Sequence, residues 1–203
     1  MSRPMLLMSA LEVLRRERRE NEIVIPTMGS AREWMKMGDA HPLDFVLVPS
    51  AMGHGTSIGL GLALARPDHR VIVCMGDGSM LMNLGSLASI VAAAAANLVV
   101  IVFDNGVFEV TGQQPTAGGS GARTTGQAVD FAAVARACGF ESVYRYANAD
   151  DWSVNARRVL DAKGPTLVAL DVEPVPGGTA PHSPGPTAAR AQAFRAALGD
   201  RAG

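Results

Sequence analysis

Between Gly76 and Asn105 the chain reads GDGSMLMNLGSLASIVAAAAANLVVIVFDN, and no other segment restricts the fold as much. The continuous apolar run VIVCM at 71–75 predicts a buried strand, and Gly76-Asp77-Gly78 the tight turn that leaves it. A helix is expected over 80–96 and a second buried strand over LVVIVF at 98–103. Strand, helix and strand in that order make a parallel crossover unit. Asp77 and Asn105 then emerge at the same edge of one parallel sheet. A carboxylate and an amide placed there can offer two oxygens to Mg²⁺, which fills its octahedron with phosphate oxygens and water. Gly76 and Gly78 let the backbone come close to a ligand, and Ser79 opens a helix whose free N–H groups favour an anion. A metal bound to a diphosphate fits these groups better than a bare metal. The bland alternative is a flavodoxin-like or Rossmann sheet in which Asp77 only caps a helix and Asn105 only shapes a turn. No G-x-G-x-x-G follows a strand to favour a dinucleotide, since the glycines of GHGTSIG at 53–59 are out of that register.

The same alternation continues on both sides. NEIVIPTMGSAREW at 21–34 reads as strand, polar turn and helix, with Thr27, Gly29 and Ser30 in the turn at the strand's C-terminal end, where open α/β sheets place ligands. An N-cap at Ser30 explains the same residues without a ligand. Residues 56–65 predict a helix, 131–139 a helix, 142–146 a strand, 150–162 a helix and 166–172 a strand. The fold class is therefore α/β: a doubly wound, mainly parallel sheet with helices on both faces. Residues 1–172 form one domain. Five prolines and three glycines over 173–186 predict an extended tail, in which His182 is solvated, and a short helix follows over 187–198, so that 173–203 is an appendage. The stretch 106–127 is long and without periodicity, which in a compact domain marks a functional or flexible loop; Glu109, Thr111, Gln113 and Gln114 are its polar candidates.

At the N-terminus, Met5, Leu7, Met8, Leu11 and Leu14 recur at helical spacing, with Arg15, Arg16, Arg18 and Arg19 toward the C-terminal end, where cations suit the helix dipole. Glu12 interrupts the apolar run and no small-residue cleavage pattern follows, so a surface helix is expected and not an export signal. No stretch is long enough to span a membrane. A net charge of −1 over 203 residues gives no reason to expect nucleic acid, and two isolated cysteines, Cys74 and Cys138, suggest neither a disulfide framework nor an iron–sulfur cluster. A cytoplasmic protein is expected.

The Gly-Asp-Gly segment and its terminal Asp104-Asn105 resemble the cofactor signature of thiamine diphosphate enzymes. The resemblance implies thiamine diphosphate and Mg²⁺ as cofactors, with Asp77, Asn105 and the carbonyl of Val107 as metal ligands. PSAMGHGTSIGLGLALARPDHRVIV at 49–73 is similar to the segment before Gly-Asp-Gly in the decarboxylase and acetolactate synthase branch. That likeness implies that Met52 supports the bent cofactor, that its N–H and the Ser50 carbonyl meet the aminopyrimidine ring, and that Gly53 belongs to the same loop. A Met at that position also reads as core filler. The family contacts the diphosphate near Thr27, Gly29 and Ser30 as well.

Such enzymes pair this domain with a second, pyrimidine-binding (PYR-type) one carrying a glutamate that activates the cofactor, and this chain has no second run of strands and helices to supply it. The resemblance therefore implies one subunit of a hetero-oligomer. AMGHGTSIGLGLAL, GDGSMLMNLGSLASI and FDNGVFEVTGQQPT most resemble the phosphonopyruvate and sulfopyruvate decarboxylases, implying a 2-oxo acid substrate, loss of CO₂ and release of an aldehyde. A second anionic group on the substrate needs a donor, for which His54, Arg123 and the amides of the 106–127 loop are candidates; a structural histidine accounts for His54 equally well. An acetolactate synthase-like carboligase, a 2-oxoacid:ferredoxin oxidoreductase subunit and a non-catalytic cofactor-binding module share the same residues and stay open.

Overall fold

The computed structural model describes residues 4–46, 51–118, 128–175 and 185–199. Ser50, Arg123 and His182 lie outside them. Five strands, β1 (Glu22–Pro26), β2 (Arg70–Gly76), β3 (Leu98–Asp104), β6 (Ser142–Tyr146) and β7 (Thr166–Asp171), pair in the order β1-β2-β3-β7-β6. Every pairing is parallel. The central strands are buried along almost their whole length because both faces are covered, which is why their sequences are apolar runs without alternation.

Successive residues of each strand feed opposite cores. Val24, Ile72, Cys74, Val99, Ile101, Val168 and Leu170 point to one face, where they join α1 (Leu7–Glu17), α2 (Met28–Lys36) and α7 (Ala149–Asp161). Ile23, Ile25, Val71, Val73, Met75, Val100, Val102 and Leu167 point to the other. That face is covered by α3 (Gly55–Ala65), α4 (Asp77–Leu81), α5 (Gly85–Ala92), α6 (Phe131–Cys138) and α8 (Thr187–Leu198). The expected doubly wound sheet with helices on both faces is present. The N-terminal helix packs one apolar face, including Leu7, Leu11 and Leu14, and exposes Glu12 and Arg16. The C-terminal helix docks on the body. Phe194 meets Phe45 edge-on at 5.0 Å between ring centres, and Arg66 donates to the carbonyls of Leu198 and Gly199.

Two expectations need correction. The helix expected over 80–96 is two helices: α4 starts at Asp77, and α5 does not begin until Gly85. Asn83 divides them, because its side chain leaves to donate to the Gly53 carbonyl at 2.9 Å while its own carbonyl accepts from the Ser86 hydroxyl at 2.7 Å. The stretch after Asn105, described to residue 118, is not without regular structure. It opens as a small antiparallel hairpin of β4 (Val107–Phe108) and β5 (Gln114–Pro115), closed by a 3-10 turn at Glu109–Thr111. The hairpin returns the chain toward the C-terminal edge of the sheet, where β1, β2 and β3 end side by side.

Candidate cofactor site

Parallel pairing fixes what meets at that edge. Gly76 lies opposite Phe103 across the β2–β3 ladder, so Asp77 and Asn105 leave neighbouring strands, each one step past the end of its strand. Between them and the start of α2 opens a cavity of about 310 Å³. Asp77, Gly78, Asn105, Val107, Gly29 and Met52 all line it, with Gly76, Ser30 and Ser79. Most of the residues singled out from the sequence are therefore brought together.

Asp77 is 1% exposed. Its Oδ2 accepts from the Thr116 hydroxyl at 2.6 Å, whereas Oδ1 has no partner among the described residues. Burial pushes the carboxyl up to about 6; the Thr116 hydrogen bond and backbone N–H groups oppose the shift, and the nearby Asp104 carboxylate adds to it. A buried carboxylate with a bare oxygen is costly unless a cation completes it. Asp104, 1% exposed, is partnered by Arg145, which donates to it at 3.1 Å and to Asp171 at 2.5 Å.

Asn105 turns its Oδ1 back to accept from the Val107 N–H at 2.9 Å and donates from Nδ2 to Glu109 Oε1 at 2.8 Å. The Glu109 carboxylate also accepts from the Val175 N–H at 2.8 Å and from Arg32 at 3.2 Å. It lies against Gly29, where an added Cβ would come within 2.8 Å of Oε2. The Phe108 ring lies as tightly on Gly78, 2.6 Å from a Cβ built there. Each glycine thus lets a side chain of the hairpin approach the backbone of a turn.

The remaining candidates make hydrogen bonds within the chain or stand outside the cavity. Thr27 and Ser30 both donate from their hydroxyls to the Cys74 carbonyl, at 3.0 and 2.9 Å, and Ser30 Oγ accepts from the Thr27 N–H. Their side chains stitch α2 to β2, and Ser30 also lines the cavity. Gly53, at φ +75°, is buried against Met82, and its N–H donates to Ser79 Oγ at 2.8 Å, tying the 51–54 turn to α4. His54 is exposed at the start of α3 and does not line the cavity. Met28 and Ala51 hold φ of +51° and +67°, a conformation uncommon for side-chain-bearing residues; Met28 lines the cavity.

Sequence reading missed Thr116 and Phe108. Both reach the site through the hairpin, whose two-residue strands carry no periodic signal. Leu7, Met82 and Val110 also line the cavity. They read as ordinary apolar positions.

The donor set suits a metal carried by a diphosphate. Among the described residues no group of three or more His, Cys, Asp or Glu side chains could hold a metal ion. One carboxylate, one amide and one carbonyl leave half an octahedron for other oxygens. Residues 27–170 match the family of thiamine pyrophosphate enzymes, as its C-terminal TPP binding domain. The chain belongs to this family.

Among the relatives of this thiamine pyrophosphate domain, the phosphonopyruvate decarboxylase of Streptomyces viridochromogenes is 42% identical over 166 residues, covering 82% of this chain and 39% of that protein. The sulfopyruvate decarboxylase subunit beta of Methanothermobacter thermautotrophicus is 38% identical over 156 residues, 76% of each chain. The chain thus spans about two fifths of the length of the phosphonopyruvate decarboxylases it matches and three quarters of the sulfopyruvate decarboxylase subunit. In fold it is similar to a thiamine diphosphate-dependent 4-hydroxybenzoylformate decarboxylase of Rhodococcus jostii, with a TM-score of 0.64 at 21% identity over 85% of this chain and 33% of that one. Among the described residues no helix is long and apolar enough to cross a membrane.

Proposed function

We propose that this chain is the diphosphate-binding subunit of a heteromeric decarboxylase that uses thiamine diphosphate and Mg²⁺ to convert a 2-oxo acid, such as sulfopyruvate or phosphonopyruvate, into CO₂ and an aldehyde. The observation that carries the proposal is the buried Asp77 carboxylate, with one oxygen unpartnered among the described residues, beside Asn105 and Val107 on the wall of one cavity. These three residues are the expected metal ligands. When bound, thiamine diphosphate supplies the electron sink for loss of CO₂.

The chain's own residues then have distinct tasks. Asp77 would be the anionic ligand of the metal, and the Asn105 amide and Val107 carbonyl would add neutral oxygens. Gly29 and Gly78 let the Glu109 carboxylate and the Phe108 ring close against the turns that line the cavity. Met52, Phe103 and Phe108 line the inner cavity with apolar surface, which strengthens charge interactions inside once water is excluded. The proposal assigns the activating glutamate to a PYR-type partner subunit. Large apolar side chains at the rim support such a partner: Met82 is 53% and Val110 60% exposed. The free cysteines, Cys74 and Cys138, fit a reducing compartment, the cytoplasm.

His54 lies beyond the rim, so its proposed part in reading a second anionic group requires the substrate site to extend toward that partner. His54→Asn is expected to raise KM for a dianionic 2-oxo acid more than KM for pyruvate; equal effects on the two would remove the role. The test of the main proposal is native mass spectrometry of the chain purified from its own cells with thiamine diphosphate and Mg²⁺, followed by assay of the isolated complex for CO₂ and aldehyde. A second subunit with one cofactor per pair is expected. Decarboxylation at an ordinary enzymatic rate by the chain alone would refute the split, and carboligation products would move the reaction to the acetolactate synthase type.

A further inference from the structure

Metal binding through a primary amide requires that oxygen, and not nitrogen, face the ion, and the two ends of the group are nearly the same shape. We infer that Glu109 is a positioning residue that fixes the Asn105 amide with its oxygen toward the metal, an inference that rests on the cofactor reading above. The Glu109 carboxylate is 7% exposed and enclosed by donors: Asn105 Nδ2 at 2.8 Å, the Val175 N–H at 2.8 Å and Arg32 Nη2 at 3.2 Å. An ionised carboxylate only accepts, so the amide end facing it must be NH₂. The Val107 N–H makes the same demand from the opposite side, since it needs the amide oxygen at 2.9 Å. That bond occupies one lone pair of Oδ1 and leaves the other for a cation.

The surroundings are arranged to keep the carboxylate there. Arg32, 4% exposed at its side chain, balances the charge and is itself paired with Glu33 at 2.7 Å. Gly29 provides the space, since any Cβ would meet Oε2 at 2.8 Å. Outer groups that orient metal ligands in this way typically contribute 10–100-fold to metal affinity.

The test measures Mn²⁺ binding, by the loss of the free-ion EPR signal, to the full chain in the assembly with which it purifies, with thiamine diphosphate present. Glu109→Gln keeps the shape but can donate as well as accept, so it no longer dictates which amide end faces it. It is expected to weaken Mn²⁺ by roughly 10–100-fold. Adding Asn105→Asp to that variant should restore binding to within a few fold, because a carboxylate presents oxygen in either orientation and accepts from the amide that Glu109→Gln introduces. Melting curves of each protein accompany the titrations. A role of Glu109 in folding alone predicts that the double variant is no better than the single one. Wild-type affinity in Glu109→Gln, or no recovery in the double variant, would overturn the inference. If Glu109→Gln does not fold, a folded double variant that binds Mn²⁺ upholds it, and one that does not bind overturns it. Wild-type protein that binds no Mn²⁺ with thiamine diphosphate would instead overturn the cofactor reading, and the inference with it.

Discussion

Asp77 carries the sharpest conflict in the molecule, a carboxylate that its surroundings do not want ionised. Its pKa rises from 3.8 to about 6 on folding, chiefly through burial. Between those values the folded chain binds more protons than the unfolded one, so stability falls as pH rises through the window. Above pH 6 the full penalty applies, on the order of 3 kcal/mol for a shift of this size. Asp77→Asn is therefore expected to make the cofactor-free protein more stable than wild type at pH 7.5, by up to about 3 kcal/mol, and the advantage should shrink at pH 5 and vanish below pH 4. Urea denaturation at the three pH values checks this; a constant difference would mean that the gain is not electrostatic. Mg²⁺ with thiamine diphosphate should reverse the order at pH 7.5, stabilising wild type and not the variant. A site that costs stability when empty and returns it when filled is what a binding residue, as distinct from a packing residue, should show.

At the scale of elements, the contact between α3 and β2 sets how closely the 51–54 turn approaches the sheet. Gly59 faces Val73, and a Cβ there would lie 2.3 Å from a Val73 methyl carbon and 3.2 Å from Leu98. Gly61, two residues on, is exposed with nothing within 4 Å. Opposite outcomes are expected for the same change: Gly59→Ala should destabilise by about 1–3 kcal/mol through overpacking, whereas Gly61→Ala should stabilise by roughly 0.5–1 kcal/mol through helix propensity. Thermal melts of the two variants suffice. Apolar runs were read correctly where helix propensity misled. The apolar runs at 71–75 and 98–103 place β2 and β3 almost to the residue, because a strand buried on both faces has no other way to be written. The alanines at 93–96 favour continuing a helix, yet Ala93 caps α5 and Ala94 turns to φ +49° to send the chain into β3. Tertiary demand overrides local preference there. Asp77 and Asn105 stood out as candidates because each follows a continuous apolar run that reads as a buried strand. Thr116 and the links of Glu109 were not legible, since they depend on a hairpin whose short strands carry no pattern.

On the scale of the whole molecule, the candidate cavity is bounded on its inner side by the sheet edge and the first turns of α2 and α4, and two large apolar side chains stand at its rim. Met82 and Val110 both line the cavity and stand more than half exposed, although the core has room for other large apolar side chains at 0% exposure. A metal site needs a dry surround to hold its charges tightly, and exposed rim methionine and valine do not provide one. Under the proposed split, the partner subunit covers them. Met82→Lys and Val110→Lys are then expected to leave the melting temperature of the isolated chain nearly unchanged, as exposed substitutions do, within about 0.5 kcal/mol. The same changes should weaken or abolish the complex seen by native mass spectrometry, because each would bury an unpaired ammonium. Val154 is the control. At 84% exposure it lies on α7, on the face of the sheet opposite α3 to α6, and Val154→Lys should leave the complex intact. Loss of the complex with all three variants would point to a general charge effect. Retention with all three would place the partner elsewhere, and the exposed rim would then need another explanation, such as a second copy of this chain.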